Sequence, residues 1–227
     1  MVRVVIICTS NDKLGTTGEK TGLWLEELAA AYNVFVAAGF EVTIASMKGG
    51  KIPLDETSLQ PPFKTPDCDT FLANDAGVKA MNESVPLSAL SQSDFDVLYL
   101  PGGHGVCYDM PQDPSLAKLL GEACDSGKIV SSVCHGPAAF ASAKLASGDS
   151  IVNGKKVTGF SNSEEEAVGK TAAVPFLLED RLKELGGSYS SVEDWNPHTV
   201  VDGKLVTGQN PGSSTGVAQA VVALLKT

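Results

Sequence analysis

Apolar and polar positions divide the chain into short apolar runs and longer amphipathic segments that alternate with each other. The short runs are rich in β-branched residues, which is typical of strands buried on both faces of a parallel sheet. They predict strands at 2–8, 40–46, 96–103 and 128–133. Between the first two, Leu25, Leu28 and Tyr32 recur at helical spacing. This pattern predicts a helix over 21–38, and Gly39 is a typical residue to end it.

The rest of the chain extends this pattern. The further predicted elements are, in order, a helix over 114–126, a hairpin turning at Asn153–Gly154, a helix near 175–185, a hairpin turning at Asp202–Gly203 and a helix from Ser213. Residues 47–93 differ, because five prolines interrupt weakly amphipathic pieces. We expect this segment to be an insertion of short helices and loops within one domain spanning 1–227. The alternation elsewhere predicts an α/β fold, a mostly parallel sheet with helices on both faces.

The composition of the chain indicates which binding partners and which cellular compartment to expect. The formal net charge of -10 argues against nucleic-acid and anionic-membrane partners, because those need a basic face. The first apolar run is too short to span a membrane and lacks the features of a signal peptide. Five cysteines, an odd number without a CxxC pair, favour a reducing compartment, so we expect a cytoplasmic protein. The sequence contains neither a Walker loop nor a GxGxxG motif, so no nucleotide cofactor is predicted.

The stretch VSSVCHGPAAF, at 130–140, places a thiol where a predicted strand stops and a helix begins. A nucleophile there projects from the carboxyl edge of the sheet, where open α/β sheets bind ligands. Gly136 follows Cys134 at the spacing of the nucleophile elbow of serine hydrolases. We expect backbone N–H groups and the helix dipole to lower the pKa of this thiol. A buried structural cysteine is the alternative.

A second glycine-rich turn, LPGGHG at 100–105, follows the strand expected beside that of Cys134. A turn of this kind can aim backbone N–H groups at a developing oxyanion. The N–H of His135, directly after the nucleophile, would be another donor. His104 lies in the same turn and is a candidate for substrate binding. A plain glycine turn is the alternative.

Two adjacent glutamates lie in the first predicted helix. Glu27 is on the apolar stripe, with Leu23 one turn before it, and burial there would raise its pKa. A neutral Glu27 near Cys134 could hydrogen-bond a thiolate or move protons. Glu26 has Asn33 on its side and is expected to be solvated. An exposed acid at a helix flank is the alternative interpretation of Glu27.

Histidines are scarce, which makes their positions informative. His104 and His135 lie in glycine-rich turns at predicted strand ends, whereas His198 is expected at the surface. His135 would need an acid to orient its ring. The run Glu164, Glu165 and Glu166 follows a likely strand and offers one, although most of such a run is expected to be a solvated loop or the first turn of a helix.

Five motifs together resemble the DJ-one/ThiJ/PfpI superfamily over nearly the whole chain: KTGLWLEELA, LPGGHG, SSVCHGPAAF, VTGFSNSEEEAVG and DGKLVTGQNPGSS. They are most similar to the branch of the stress-inducible heat-shock chaperones and glutathione-independent glyoxalase III, also called D-lactate dehydratase. The resemblance implies a flavodoxin-like fold of the class I glutamine-amidotransferase type. It also implies an insertion like residues 47–93 and a homodimer.

The same resemblance implies roles for particular residues. Cys134, His135 and an acid of the EEE run, best Glu165, would form a triad. Glu27 would move a proton, and Gly103 would donate an oxyanion N–H. The implied substrate is a small 2-oxoaldehyde such as methylglyoxal or glyoxal, and methylglyoxal would become D-lactate through a hemithioacetal. Neither a metal nor another cofactor is implied.

Other functions compete with this one. A glutamine amidotransferase would need a second histidine followed two residues later by glutamate, and the residues after His198 lack that pattern. A cysteine peptidase would use the same elbow, and a protein deglycase the same thiol. A redox sensor would depend on an acidic thiol, whereas a holding chaperone would depend on exposed apolar patches.

Overall fold

A seven-stranded sheet crosses the middle of the protein, whose computed structural model describes residues 1–226. The strands of the chain are β1 Arg3–Cys8, β2 Glu41–Ser46, β3 Val85–Pro86, β4 Val97–Leu100, β5 Ile129–Val133, β6 Lys156–Val157, β7 Ser188–Tyr189, β8 Thr199–Asp202 and β9 Leu205–Gly208. The large sheet has the order β3-β2-β1-β4-β5-β9-β8, and β6 pairs with β7 separately. All neighbours in the large sheet run parallel except β8 and β9.

Helices pack on both faces of this sheet. They are α1 Leu25–Ala37, α2 Pro66–Leu72, α3 Asp75–Asn82, α4 Val106–Asp109, α5 Pro114–Asp125, α6 Asn162–Ala167, α7 Leu178–Glu184 and α8 Ser214–Leu224. The pair α1 and α8 packs together, while α5 and α7 pack on the 3-10 helix at Gly136–Ser142. The α/β fold expected from the sequence is therefore confirmed. Within residues 1–226, every helix is too short or too polar to cross a membrane.

The order of the strands indicates where a ligand site is expected. β1 pairs with β2 on one side and with β4 on the other, so the strand order reverses there. Ligands of open α/β sheets bind outside the carboxyl ends of the strands at such a reversal. The turn after β4 and the turn after β5 meet at this edge, because Leu100 pairs with Ser132 at the ends of the two strands.

Several predicted elements are confirmed within a few residues. The four predicted strands correspond to β1, β2, β4 and β5, and the helix over 114–126 corresponds to α5. Asp113 caps α5 by accepting hydrogen bonds from two backbone N–H groups of its first turn. The hairpin at Asp202–Gly203 joins β8 to β9. The last two predicted helices correspond to α7 and α8.

The first helix begins later than predicted, at Leu25 and not at residue 21. The residues before it are extended and pair with the segment that follows β2. Leu23 accepts a hydrogen bond from the Asp55 N–H at 2.9 Å and donates its own N–H to Pro53 at 2.8 Å. The interruption at 47–93 thus shapes the entry to α1, which the helical spacing of the sequence alone does not show.

The hairpin predicted at Asn153–Gly154 is wrong. β6 pairs in parallel with β7, which lies some 30 residues further along the chain. Ile151 and Val152 are buried in a turn and not in a strand. The Gly154 N–H donates to Gly186 at 2.9 Å, so this turn packs against the end of α7 instead of reversing a strand.

Residues 47–93 contain α2, α3 and three short 3-10 helices, as the proline-rich pattern indicates. The pattern misses β3, which pairs in parallel with the end of β2 at the edge of the sheet. α2 packs on α1. That 47–93 is an insertion within one domain stays a prediction.

Candidate active site

Cys134 lies directly after β5, in a sharp turn. Its backbone has a φ of 57°, a left-handed conformation that non-glycine residues rarely adopt. The Cys134 N–H donates to Gly208 at 3.0 Å, and its carbonyl accepts from the Phe160 N–H at 2.9 Å. Such a conformation costs about 1–3 kcal/mol and persists only where the surroundings impose it, typically at functional sites. The turn is therefore built to present this thiol.

The segment after Cys134 differs from the sequence-based expectation. Gly136–Ser142 is a 3-10 helix and not the start of a longer α-helix. Its first residue has to be glycine, because a side chain at Gly136 would collide with the Leu100 carbonyl and the Ser132 hydroxyl. The long α-helix whose dipole was expected to favour the thiolate therefore does not form over these residues.

The pKa of the Cys134 thiol is accordingly raised well above its ordinary value, not lowered. Burial of the side chain is the main cause, and the neighbouring Glu27 carboxyl adds to it. The backbone N–H of His135 acts in the opposite direction but does not outweigh them. The prediction of a lowered thiol pKa is thus wrong. Ionisation of Cys134 has to be coupled to a proton acceptor.

His135 offers that acceptor. Its Nδ1 lies 3.3 Å from the Cys134 Sγ, and its Nε2 lies 2.7 Å from Oε2 of Glu165. All three side chains are buried. A thiol, an imidazole and a carboxylate in this order can transfer the thiol proton and stabilise the imidazolium that forms.

Glu165 is shared by two histidines. Its Oε1 lies 2.8 Å from Nε2 of His104, whose ring is 4.0 Å from that of His135 between centroids. Burial alone would raise the pKa of Glu165, but the hydrogen bonds with His104 and His135 lower it well below the usual range. The pKa of His104 is lowered to about 4 by burial and by His135. Glu165 is therefore a fixed anion beside a neutral His104.

The neighbours of Glu165 have other tasks. Glu164 forms a capping box with Ser161 at the start of α6, and its Oε1 accepts hydrogen bonds from Asn210 at 2.8 Å and from the Trp195 N–H at 3.0 Å. Glu166 is exposed. Of the three glutamates left open by the sequence, only Glu165 contacts His135.

Glu27 lies on α1 and is fully buried, as its place on the apolar stripe predicts. Its Oε2 accepts the Gly102 N–H at 2.6 Å, whereas its Oε1 is buried without a hydrogen-bond partner among residues 1–226. Burial raises the pKa of Glu27 to about 8, although the Gly102 and Cys134 hydrogen bonds oppose this shift. The carboxyl group next to the thiol is thus mostly protonated near neutral pH.

Gly103 occupies a position that only glycine tolerates. Its φ is +85°, and a Cβ there would collide with the Gly22 carbonyl and the Trp24 nitrogen. Within the described part of the chain, its N–H donates to no protein acceptor. Gly103 lines the same cavity as Cys134, so this N–H is available to a ligand there.

Glu26 is not solvated, contrary to the expectation from helical spacing. Its side chain is only 9% exposed, because α2 covers it. Its Oε2 accepts hydrogen bonds from the Thr65 hydroxyl and from the Cys68 thiol, the latter at 3.5 Å. Asn33, expected beside it, bonds to Asp67 instead. No periodicity in α1 could have revealed this, because the partners come from a separate segment.

A cavity of about 730 Å³ lies against part of this site. Its lining includes Cys134, His135, His104 and Gly103, together with aromatic side chains that the sequence analysis did not single out: Trp24, Phe63, Phe160 and Trp195. Trp195 has a φ of 68° and is half exposed at the cavity. His198 lies outside this lining and bonds to Ser190. His198, which was expected at the surface, is therefore not part of this cavity.

His104, His135 and Glu165 also offer three ligand atoms within 4.8 Å of one another, the one such group in residues 1–226. However, both oxygens of Glu165 already pair with imidazole nitrogens at hydrogen-bond distance. A zinc ion would sit about 2.0–2.2 Å from each ligand and would have to replace these bonds. The arrangement fits a hydrogen-bonded relay better than a metal centre.

Comparison with known proteins identifies the family of this chain. The DJ-1/PfpI family model matches residues 21–224. The chain belongs to the DJ-1/PfpI family. This confirms the superfamily expected from the five motifs, and with it the flavodoxin-like arrangement of the sheet.

Relatives of this DJ-1/PfpI member include several proteins named as glyoxalases. The chain is 32% identical to Glyoxalase 3 of Candida albicans, over 98% of both chains. It is 31% identical to the glutathione-independent glyoxalase HSP31 of Saccharomyces cerevisiae, over 99% of this chain and 98% of the relative. Both similarities extend over the cysteine turn, α1 and α6.

Two solved structures of the family are close to this fold. Glyoxalase III from Candida albicans superimposes with a TM-score of 0.90 at 30% identity, covering 98% of this chain and 97% of that one. Rapid Encystment Protein 24 KDa from Francisella tularensis superimposes with a TM-score of 0.94 at 37% identity, covering 99% of each chain. Within the DJ-1/PfpI family, then, this architecture occurs in proteins with different names.

Proposed function

We propose that this protein is a glutathione-independent glyoxalase that converts methylglyoxal to D-lactate, a D-lactate dehydratase in the reverse sense. The observation that carries the proposal is the hydrogen-bonded series Cys134, His135 and Glu165, with Glu27 beside the thiol, at a cavity that Cys134 and His135 line. The names of the full-length relatives support the same reaction class. Methylglyoxal is a reactive 2-oxoaldehyde, so this activity would protect against carbonyl stress.

The first step is addition of the thiol to the aldehyde. His135 Nδ1, 3.3 Å from the sulfur, takes the thiol proton as the S–C1 bond forms. Glu165 stabilises the imidazolium through its bond to Nε2 at 2.7 Å. The Gly103 and His135 N–H groups hold the oxyanion, which then receives the proton to give a hemithioacetal.

The second step moves a proton from C1 to C2. Glu27 in its carboxylate form removes the C1 proton, which gives an enediolate. The proton of the C1 hydroxyl moves to the C2 oxygen, and Glu27 returns its proton to C2. A pKa of about 8 makes Glu27 a stronger base than an exposed glutamate, at the cost of a smaller ionised fraction at neutral pH. The unpartnered Oε1 is the atom we assign to this transfer. The product is a lactoyl thioester on Cys134.

The last step is hydrolysis of the thioester. A water molecule, deprotonated by His135, attacks the C1 carbonyl, and the C–S bond breaks to release lactate and the thiol. Glu165 again fixes the orientation of the imidazole ring. Overall, one water is added per methylglyoxal, and no oxidant, reductant or thiol cofactor is consumed.

The proposal is tested by incubating purified protein with methylglyoxal in the absence of glutathione. D-lactate is measured with a stereospecific dehydrogenase, and L-lactate is measured in parallel. We expect D-lactate from the wild type and none above background from Cys134→Ser. Turnover of methylglyoxal without lactate, or equal lactate from both proteins, would exclude this function.

A further inference from the structure

The cavity is much larger than methylglyoxal requires. Its volume of about 730 Å³ is within the range of about 300–1,000 Å³ that holds drug-sized ligands. Methylglyoxal is among the smallest 2-oxoaldehydes, so most of the space around it would be left to other groups. The residues that line this extra space indicate what those groups are.

One end of the cavity is acidic. Glu26 and Asp55 line it, and both are at least nine-tenths buried. No Lys, Arg or His nitrogen of residues 1–226 lies within ion-pair distance of either carboxylate. Buried carboxylates are rare unless they are paired. This end of the cavity therefore lacks a positive partner.

Glu26 in particular presents one free oxygen. Thr65 and Cys68 both bond to Oε2, which fixes the carboxyl group in place. Oε1 has no protein partner, yet it is not among the fully enclosed orphan atoms, so it is accessible from the cavity. Asp55, by contrast, uses its oxygens to bond to Thr21 and to the Thr57 N–H. Glu26 is thus the acid that remains available to a ligand.

Two aromatic rings line the same cavity as this carboxylate. Trp24 and Phe63 also line the cavity and form an edge-to-face pair with centroids 5.2 Å apart. The backbone N–H of Trp24 donates to the Gly102 carbonyl at 3.5 Å, so the main chain of Trp24 lies beside the glycine turn. Aromatic faces next to a carboxylate attract ammonium and guanidinium groups. The one lysine of the lining, Lys170, lies beside His104 and Glu165 and forms no ion pair with Glu26.

We propose that Trp24, Glu26 and Phe63 form a subsite for a positively charged group on the C2 substituent of larger 2-oxoaldehydes. This inference rests on the proposed function, because C1 of the substrate is taken to react at Cys134. A cation in the subsite would supply the partner that Glu26 lacks. The preferred substrates are then 2-oxoaldehydes with an ammonium or guanidinium substituent.

The test compares arylglyoxals of matched shape and different charge. The para substituent is trimethylammonium in one and the neutral isostere tert-butyl in the other. We expect kcat/KM of the wild type to be about tenfold or more higher for the cationic substrate. Because the readout is a ratio, any loss of activity common to both substrates cancels.

Variants locate the preference. Glu26→Gln keeps the size of the side chain and should bring the ratio to within about twofold of unity, since the amide cannot pair with a cation. Phe63→Leu should lower the ratio by about threefold, and Phe63 is exposed enough for the fold to tolerate the change. Glu56→Gln is the matched control: it removes an equal charge from an exposed neighbour and should keep the wild-type ratio.

A binding experiment separates this inference from the proposed function. The corresponding para-substituted acetophenones lack the aldehyde, so they bind without turnover. Both tryptophans of the chain line the cavity, so quenching of intrinsic fluorescence reports binding. Tighter binding of the cationic ketone, lost in Glu26→Gln, supports the subsite even if no glyoxal is converted. A wild-type preference for the neutral ketone, or a preference unchanged in Glu26→Gln, overturns it.

Discussion

Two buried glutamates lie beside the same cysteine–histidine pair, one on α1 and one on α6, and their proton affinities are shifted in opposite directions. Among residues 1–226, Glu27 forms no ion pair with a basic side chain, and burial raises its pKa to about 8. Glu165 lies between two imidazoles, which lower its pKa well below the usual range despite burial. Burial depth alone therefore does not decide which acid holds a proton. The hydrogen-bond donors around each carboxyl group decide it.

This difference separates two kinds of chemical work. A carboxyl group that gains and loses a proton near neutral pH can carry protons during turnover. A carboxylate that stays ionised can only orient and stabilise a positive charge. The α1 and α6 regions thus supply a proton carrier and a fixed anion to one nucleophile. Each of the predictions below removes one part of this arrangement.

The largest effect is expected from Cys134→Ser, which removes the partner common to both acids. A serine hydroxyl is far less acidic than a thiol, so we expect methylglyoxal conversion to fall by more than about 1,000-fold. The fold should persist, because serine is small enough for the turn, and circular dichroism checks this. Any suppression of client aggregation should survive, since it would depend on apolar surface. A folded variant with most of the wild-type rate would contradict the covalent mechanism.

The next effect is that of Glu27→Gln, which keeps the shape but cannot carry a proton. We expect kcat to fall by about 100-fold or more. In the wild type, kcat should rise as pH approaches 8, because the carboxylate form of Glu27 is the base. That rise should be absent from the residual activity of the variant. Glu166→Gln, an exposed change of equal charge on α6, is the control and should retain both rate and pH profile.

A smaller loss is expected from Glu165→Gln, about 10–100-fold in kcat. The amide can still hydrogen-bond one imidazole, but it no longer stabilises a positive charge on His135. Steady-state kinetics with methylglyoxal measures the loss. A rate within twofold of the wild type would mean that the α6 carboxylate is structural.

The same two regions show what sequence patterns can and cannot provide. The apolar stripe of α1 was enough to predict that Glu27 is buried, because its neighbours in space are also its neighbours at helical spacing. The burial of Glu26 was missed, because Thr65 and Cys68 reach it from α2. The strands were predictable for the same reason, because a run of apolar residues indicates a buried strand without information from distant segments.

Contacts between distant segments explain the other differences. The turn at Asn153–Gly154 has the residues of a hairpin, yet Gly154 bonds to Gly186 at the end of α7. The helix predicted to follow Cys134 was expected to lower the pKa of its thiol. The pKa is raised, first because the thiol is buried and second because Glu27, from α1, lies beside it. His104 was placed near the substrate, but its bond to Glu165 has no sequence signal.

The last expected effect is on stability, and it tests the two regions without catalysis. Glu27 has a pKa of about 8 in the folded state and an ordinary value of 4.5, so between these pH values the folded protein retains a proton that the unfolded chain releases. Stability therefore falls as pH rises across this window. Glu27→Gln removes the share of that fall due to Glu27, and from pH 4.5 to pH 8 it should gain about 4 kcal/mol relative to the wild type. His104, with a folded pKa of about 4 against 6.5, makes stability fall as pH decreases through that lower window, and this limb should remain in the variant. Urea unfolding at a series of pH values measures both limbs, and parallel curves for the two proteins would mean that Glu27 is ionised in the folded state throughout.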